Sequence, residues 1–110
     1  MDLSVVIAVI RGNVLEKVEQ GLREIDVRGI SVSKVKGYGE YHNFFARDGM
    51  VENVRLEIFT RTDKVEAITA AIMKTAHTGS PGDGVVVVYR IEKFFNIRLR
   101  SEATPDQVQR

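Results

Sequence analysis

Residues 3–10 read Leu3-Ser4-Val5-Val6-Ile7-Ala8-Val9-Ile10, an almost unbroken apolar run rich in valine and isoleucine. A run of this length and composition is a strand buried on both faces, so it belongs in the middle of a sheet. Working outward, Asn13 with Glu16 three residues later marks a helix start. Val14, Leu15, Val18, Leu22 and Ile25 then recur at helical spacing, with charged residues between them. Asp26 to Gly29 breaks this helix. Residues 30–36 alternate Ile30 and Val32 with Ser31 and Ser33, the pattern of a half-buried strand. Residues 54–60 alternate again, with Val54, Leu56 and Ile58 on one side and Arg55, Glu57 and Phe59 on the other. Asp63 and Glu66 open a second helix whose stripe is Val65, Ile68, Ile72 and Ala76. Residues 85–90 make a last β-branched strand, and residues 94–100 a short edge strand.

The order is strand, helix, strand, strand, helix, strand. That is the split βαβ, or ferredoxin-like, arrangement of the α+β class: an antiparallel sheet with two helices on one face. Two helices cover only one side of such a sheet. Phe59 and the apolar first and last strands therefore need cover on the other side, and a symmetric oligomer is the economical way to supply it. Residues 1–100 form a single domain, residues 37–53 a loop or protruding hairpin without sustained period, and residues 101–110 a polar, frayed tail.

Composition narrows the function. At 110 residues, 44% hydrophobic and 28% charged, the chain reads as one ordinary soluble domain. A net charge of +1 lacks the basic footprint of a nucleic-acid binder. Without cysteine there is neither a disulfide nor a thiolate metal site. The first apolar run is too short to cross a bilayer and lacks a signal-peptide pattern, so the chain is expected to be cytoplasmic and complete from its start.

The strongest chemical signal is Thr78-Gly79-Ser80-Pro81-Gly82-Asp83-Gly84, between a helix and a strand. Glycine-rich backbone of this kind can aim its N–H groups outward into a nest for anions, notably phosphates. The competing reading is a tight helix-to-strand connection that uses glycine and proline for geometry alone. It is not a Walker loop, because no Gly-Lys-Ser/Thr follows and it ends a helix instead of opening one. Gly37-Tyr38-Gly39 after a strand is a second, weaker signal, equally suited to a simple bend. Arg98 and Arg100 suit either phosphate contact or solvated edge charge. His42, Asp48 and Glu52 form no diagnostic metal-ligand spacing, and no catalytic constellation is visible. Tyr41, Phe44, Phe45 and Met50 in the loop suit a partner-binding surface, or folding back onto the protein itself.

At these residues the chain resembles the PII signal-transduction proteins. Val35-Lys36-Gly37-Tyr38-Gly39 looks like the opening of that family's long T-loop. Thr75-Ala76-His77 followed by residues 78–84 is similar to its B-loop, and residues 91–98 to its C-terminal strand region. The resemblance implies a non-enzymatic homotrimer holding an adenine nucleotide (ADP, AMP or ATP) in clefts between subunits, with no tightly bound cofactor. It implies that Thr78, Gly79, Gly82, Asp83 and Gly84 cradle phosphates, with Gly37 and Gly39 across the cleft. Val9, Gly29, Ile30, Ser31 and Phe59 would lie near the base and ribose, and Arg98 would reach over from the neighbouring subunit. The loop at 37–53 would press on a membrane transporter or a metabolic enzyme. The departures mark a divergent branch. The T-loop is shortened, and no counterpart of its modified tyrosine is evident. Tyr41 stands where the family has a glutamine, Asn53 and Val85 where it has lysines, and Asn96 where it has an arginine. Losing these cations disfavours normal 2-oxoglutarate sensing and weakens ATP relative to ADP or AMP. Other readings are a CutA-like trimeric metal-tolerance protein, a PII-like regulator of bicarbonate or other transport, and a small acylphosphatase-like hydrolase.

Overall fold

A computed structural model describes residues 2–35 and 53–108. Its main sheet has four antiparallel strands in the order β2-β3-β1-β4. β1 (Leu3–Arg11) lies at the centre, flanked by β3 (Asn53–Arg61) and β4 (Gly84–Ile91), while β2 (Ser31–Val35) forms the edge beside β3. The helices α1 (Leu15–Glu24) and α2 (Val65–Ala76) cover one face. This is the ferredoxin-like arrangement read from the sequence.

The register explains which side chains meet. Val6 opposes Ile58 and Val88, Ala8 opposes Leu56 and Val86, and Ile10 opposes Val54. These side chains point to the helix face, where Val18 and Leu22 of α1 and Ile68 and Ile72 of α2 close the core. Fully burying each such aliphatic contributes about 1.5–3 kcal/mol, which is why the period-two and helical patterns are so clear in the sequence.

The two halves are built alike. The strand boundaries and the helix start of the second strand–helix unit fall 50 residues after those of the first: Leu3 to Asn53, Arg11 to Arg61, Leu15 to Val65. In both, a 3₁₀ turn (Gly12–Val14 and Thr62–Lys64) joins strand to helix. The helical segments begin where Asn13 and Asp63 lead one to expect, but neither turn nor helix carries a side-chain cap at its N-terminus. Asp63 instead accepts a hydrogen bond from the Arg61 guanidinium at 2.9 Å. The tight turn lets the helix begin without a capping side chain.

Two further expectations change. β2 is not half-buried: Ser31 to Lys34 are all exposed, because the helices do not reach over the sheet edge, and only Ile30, just before the strand, packs against the core. The last segment does not pair with the main sheet. β5 (Phe95–Asn96) pairs with β6 (Ser101–Glu102) in a small hairpin of its own. What reads as a frayed tail is therefore ordered to Val108. Ala103 is buried and donates its N–H to the Phe94 carbonyl at 2.8 Å. A short α3 (Pro105–Val108) packs by the end of β3, with Asp106 3.5 Å from Arg61. Phe94 meets Phe59 edge to face at 5.4 Å.

The sheet face away from the helices is mixed. Val5, Ile7, Val85, Val87, Tyr89 and Phe59 lie on it, with Arg55 and Glu57 paired at 3.3 Å on β3. Phe59 is 42% exposed and Tyr89 57%, so among the described residues nothing fully covers this apolar surface.

Candidate functional site: the glycine-rich loop before β4

The loop at residues 78–84 leaves the end of α2 and enters β4 beside the C-terminal end of β1. Gly79, Gly82 and Gly84 all take positive φ (88, 98 and 109°), conformations that a side chain disfavours. At Gly84 a second constraint applies. A Cβ there would stand 1.8 Å from the Val9 carbonyl oxygen. This glycine is thus required by the close approach of β4 to β1, whatever the loop binds.

Asp83 organises the loop. Its carboxylate accepts the Thr78 hydroxyl, the Thr78 N–H at 2.8 Å and the Gly79 N–H at 2.9 Å. From β1, the Arg11 guanidinium donates to the same carboxylate at 3.3 Å and to the Pro81 carbonyl at 2.6 Å. The Thr78 hydroxyl bond first, then the Thr78 and Gly79 amides and Arg11, hold the Asp83 carboxyl well below the usual carboxylate range. The Ser80 N–H donates to Thr78 Oγ1 at 3.2 Å. Not all of the nest is open, then. The Thr78 and Gly79 amides are already satisfied by the chain's own anion, and the outward-facing donors expected there are engaged.

Arg11 is the residue that sequence reasoning missed. It lies 72 positions from Asp83, at the end of an apolar strand, and nothing local marks it.

The other expected site residues fall into separate places. Val9 is 7% exposed and sits beside the loop through its carbonyl. Gly29 and Ile30 precede β2, and Ser31 opens it opposite Glu57. A Cβ on Gly29 would meet nothing within 4 Å, so no close approach in this chain demands that glycine. Phe59 packs on Phe94. Gly84 opposes Ile10 while Ser31 shares the Glu57–Ile7 row, and three strand spacings separate β2 from β4. At about 4.8 Å between strands and 3.3 Å per residue, the two groups stand roughly 17 Å apart. One chain does not bring them together.

Arg98 is exposed in the turn between β5 and β6. Asn96 serves that turn, its side-chain oxygen accepting the Leu99 N–H at 3.0 Å. Asn53 is buried at 1% at the start of β3. Val85 projects from the helix-free face next to the loop. Gly37, Gly39, Tyr41, Phe44, Phe45 and Met50, and with them His42, Asp48 and Glu52, lie outside the described residues. Among the described residues, no group of three or more histidines or acids could hold a metal ion, and no helix is long and apolar enough to cross a membrane.

A second concavity of about 570 Å³ lies at the opposite end of the sheet, lined by Asp2, Arg61, Thr62, Asp63, Arg90 and Pro105. Its arginines are paired with its own carboxylates, Arg61 with Asp63 at 2.9 Å and Arg90 with Asp2 at 3.1 Å. Its charge is internally balanced and its lining holds none of the positive-φ glycines that shape the loop at residues 78–84, which remains the better candidate.

Comparison with known proteins agrees with this arrangement. Residues 3–101 match the family model of nitrogen regulatory protein P-II. The nitrogen regulatory protein P-II homolog of Arabidopsis thaliana is 33% identical over 83% of this chain and 50% of that protein. This chain thus spans about half the length of that plant relative. Nitrogen regulatory protein P-II of Pasteurella multocida (strain Pm70) is 31% identical over 86% of this chain and 91% of that protein. The crystal structure of Arabidopsis thaliana PII bound to citrate superposes with a TM-score of 0.79 at 29% identity, covering 98% of this chain and 92% of that one. With the strand order, the helix-covered face and the glycine-rich loop all in place, the chain belongs to the nitrogen regulatory protein P-II family of signal-transduction proteins.

Proposed function

We propose that this chain is a non-catalytic cytoplasmic regulator, a homotrimer that binds an adenine nucleotide between subunits. The observation that carries the reading is the loop at residues 78–84: positive-φ glycines held in shape by Asp83, with the Arg11 guanidinium beside them. Loops of this geometry suit phosphate oxygens. The oligomer is supported by the apolar helix-free face and by the roughly 17 Å between the loop and the group at Gly29, Ile30 and Ser31. A neighbouring copy would supply the second group to the first. The similar Arabidopsis PII was solved bound to citrate, a small polyanion, which fits a fold that takes anions. In this reading Thr78, Gly79, Gly82, Asp83 and Gly84 line the phosphate side, with Gly37, Gly39 and Arg98 adjoining. Val9, Gly29, Ile30, Ser31 and Phe59 serve the base and ribose. Tyr41, Phe44, Phe45 and Met50 carry the state of the site to a transporter or metabolic enzyme. Asn53 is a neutral amide where the family's lysine would pair with 2-oxoglutarate, so the response runs without that oxoacid.

The test is isothermal titration of the full chain with AMP, ADP and ATP, each with and without 2-oxoglutarate and Mg²⁺. Saturable nucleotide binding indifferent to 2-oxoglutarate is expected. Absence of binding to all three nucleotides overturns the reading.

A further inference from the structure

We propose that Asp83-Gly84 is a site of spontaneous isomerisation to isoaspartate, and that Arg11 and Thr78 are the clamp that holds this reaction off in the folded chain. The sequence supplies the reactive pair. An aspartate followed by glycine offers a carboxyl carbon to a backbone nitrogen that no neighbouring side chain shields. The Gly84 nitrogen attacks Asp83 Cγ and a new N–Cγ bond forms. The amide proton and one carboxyl oxygen, with the carboxyl's own proton, leave as water. The product is a cyclic imide. Water then reopens it at either carbonyl. Breaking the N–Cγ bond restores aspartate, whereas breaking the original peptide bond leaves the chain running through the β-carboxyl as isoaspartate. Nothing is oxidised or reduced, and one water is lost and regained.

The structure supplies the restraint. Both carboxylate oxygens of Asp83 are turned to partners away from Gly84. One accepts the Thr78 hydroxyl and the Arg11 Nε at 3.3 Å, the other the Thr78 and Gly79 amides at 2.8 and 2.9 Å. Arg11 ties the loop a second time, through the Pro81 carbonyl at 2.6 Å. The same contacts keep the carboxyl ionised, the form from which oxygen leaves poorly. Gly84 is restrained as well. It stands opposite Ile10 in the sheet, so close to β1 that a Cβ would lie 1.8 Å from the Val9 carbonyl oxygen. Closing the imide ring turns the 83–84 peptide, which means freeing the carboxylate and lifting Gly84 off β1 together. The reaction therefore runs from a locally opened loop, at a rate set by how often that loop opens. Its outcome is lasting. Isoaspartate adds a methylene to the backbone and shortens the side group, so neither the carboxylate's contacts nor the Gly84–Ile10 register can be recovered.

The experiment is warm incubation of the full chain at neutral pH, sampled over time. Cleavage after Lys74 and Arg90 releases residues 75–90, in which Asp83 is the one acid, and chromatography with mass spectrometry separates its aspartate and isoaspartate forms. Unfolded in guanidinium chloride, the wild-type chain should isomerise at residue 83 at least about a hundredfold faster than when folded. Arg11→Gln should raise the folded-state rate by about tenfold, and Thr78→Val, which keeps the shape and removes the hydroxyl, by a similar factor. Ile58→Val is the control. It trims a fully buried side chain of β3 and lowers global stability without touching the loop, so its rate should stay near wild type. No isoaspartate in the unfolded chain, or equal rates folded and unfolded, overturns the proposal. So does an Arg11→Gln rate equal to wild type, or an Ile58→Val rate raised as far as that of Arg11→Gln, since escape would then run through global unfolding and not through the clamp. If Arg11→Gln fails to fold, Thr78→Val decides by the same comparison.

Discussion

Replacing Gly84 by alanine tests whether the loop is tied to the sheet as the structure requires. The new methyl would stand 1.8 Å from the Val9 carbonyl oxygen and 2.9 Å from its carbon, at a φ of 109°. The backbone conformation alone costs about 1–3 kcal/mol for a residue with a Cβ. Relieving the overlap means moving β4 away from β1, a strain comparable to overpacking a core at about 1–3 kcal/mol. The neighbour is backbone of the central strand, so no side-chain rotation can absorb the contact. Together these give a loss of about 2–6 kcal/mol. For a domain of this size, about 4 °C per kcal/mol is the applicable scale, so the melting temperature should fall by roughly 8–24 °C. The assay is thermal and urea unfolding at one fixed protein concentration, because an oligomer's apparent stability depends on concentration. Gly29→Ala is the control. Its Cβ would meet nothing within 4 Å, and it should change stability by less than about 0.5 kcal/mol. A Gly84→Ala protein melting within about 2 °C of wild type would refute the argument, as would Gly29→Ala falling equally far.

Two other outcomes are expected. Val87→Asp places a carboxylate on the helix-free face opposite Ile7, where only an interface with another copy would bury it. Sedimentation should show the oligomer lost while circular dichroism shows the fold kept, and an unchanged oligomer would remove that face from the interface. Asp83 supplies a pH dependence of known sign. Its folded-state carboxyl titrates below its unfolded value, so its contribution is present above about pH 4 and is lost as pH falls through the strongly acid range. The stability gap between wild type and Asp83→Asn, read from urea melts, should therefore be wider at about pH 6 than at about pH 2; a gap independent of pH would mean that the carboxylate is not held as described.

The sequence by itself determined the elements and much of their order. Val6, Ala8, Ile10, Leu56 and Ile58 announce themselves because the strand period of two forces alternate side chains onto one face. The 3.6-residue helical period does the same for Val18, Leu22, Ile68 and Ile72. The glycine-rich stretch at 78–84 was legible because positive φ is a local demand that glycine alone meets cheaply. Only the tertiary structure decided what those elements meet. Nothing near Arg11 says that its guanidinium will reach Asp83, and nothing near Gly84 says that Val9 lies where a methyl would go. The exposure of β2 follows from how far two helices extend across four strands, and the burial of Ala103 from where the final hairpin lands. Periodicity is written by the few residues on either side of a position. Pairing, edge position and burial against a distant segment are set by contacts that form only when the chain folds back on itself.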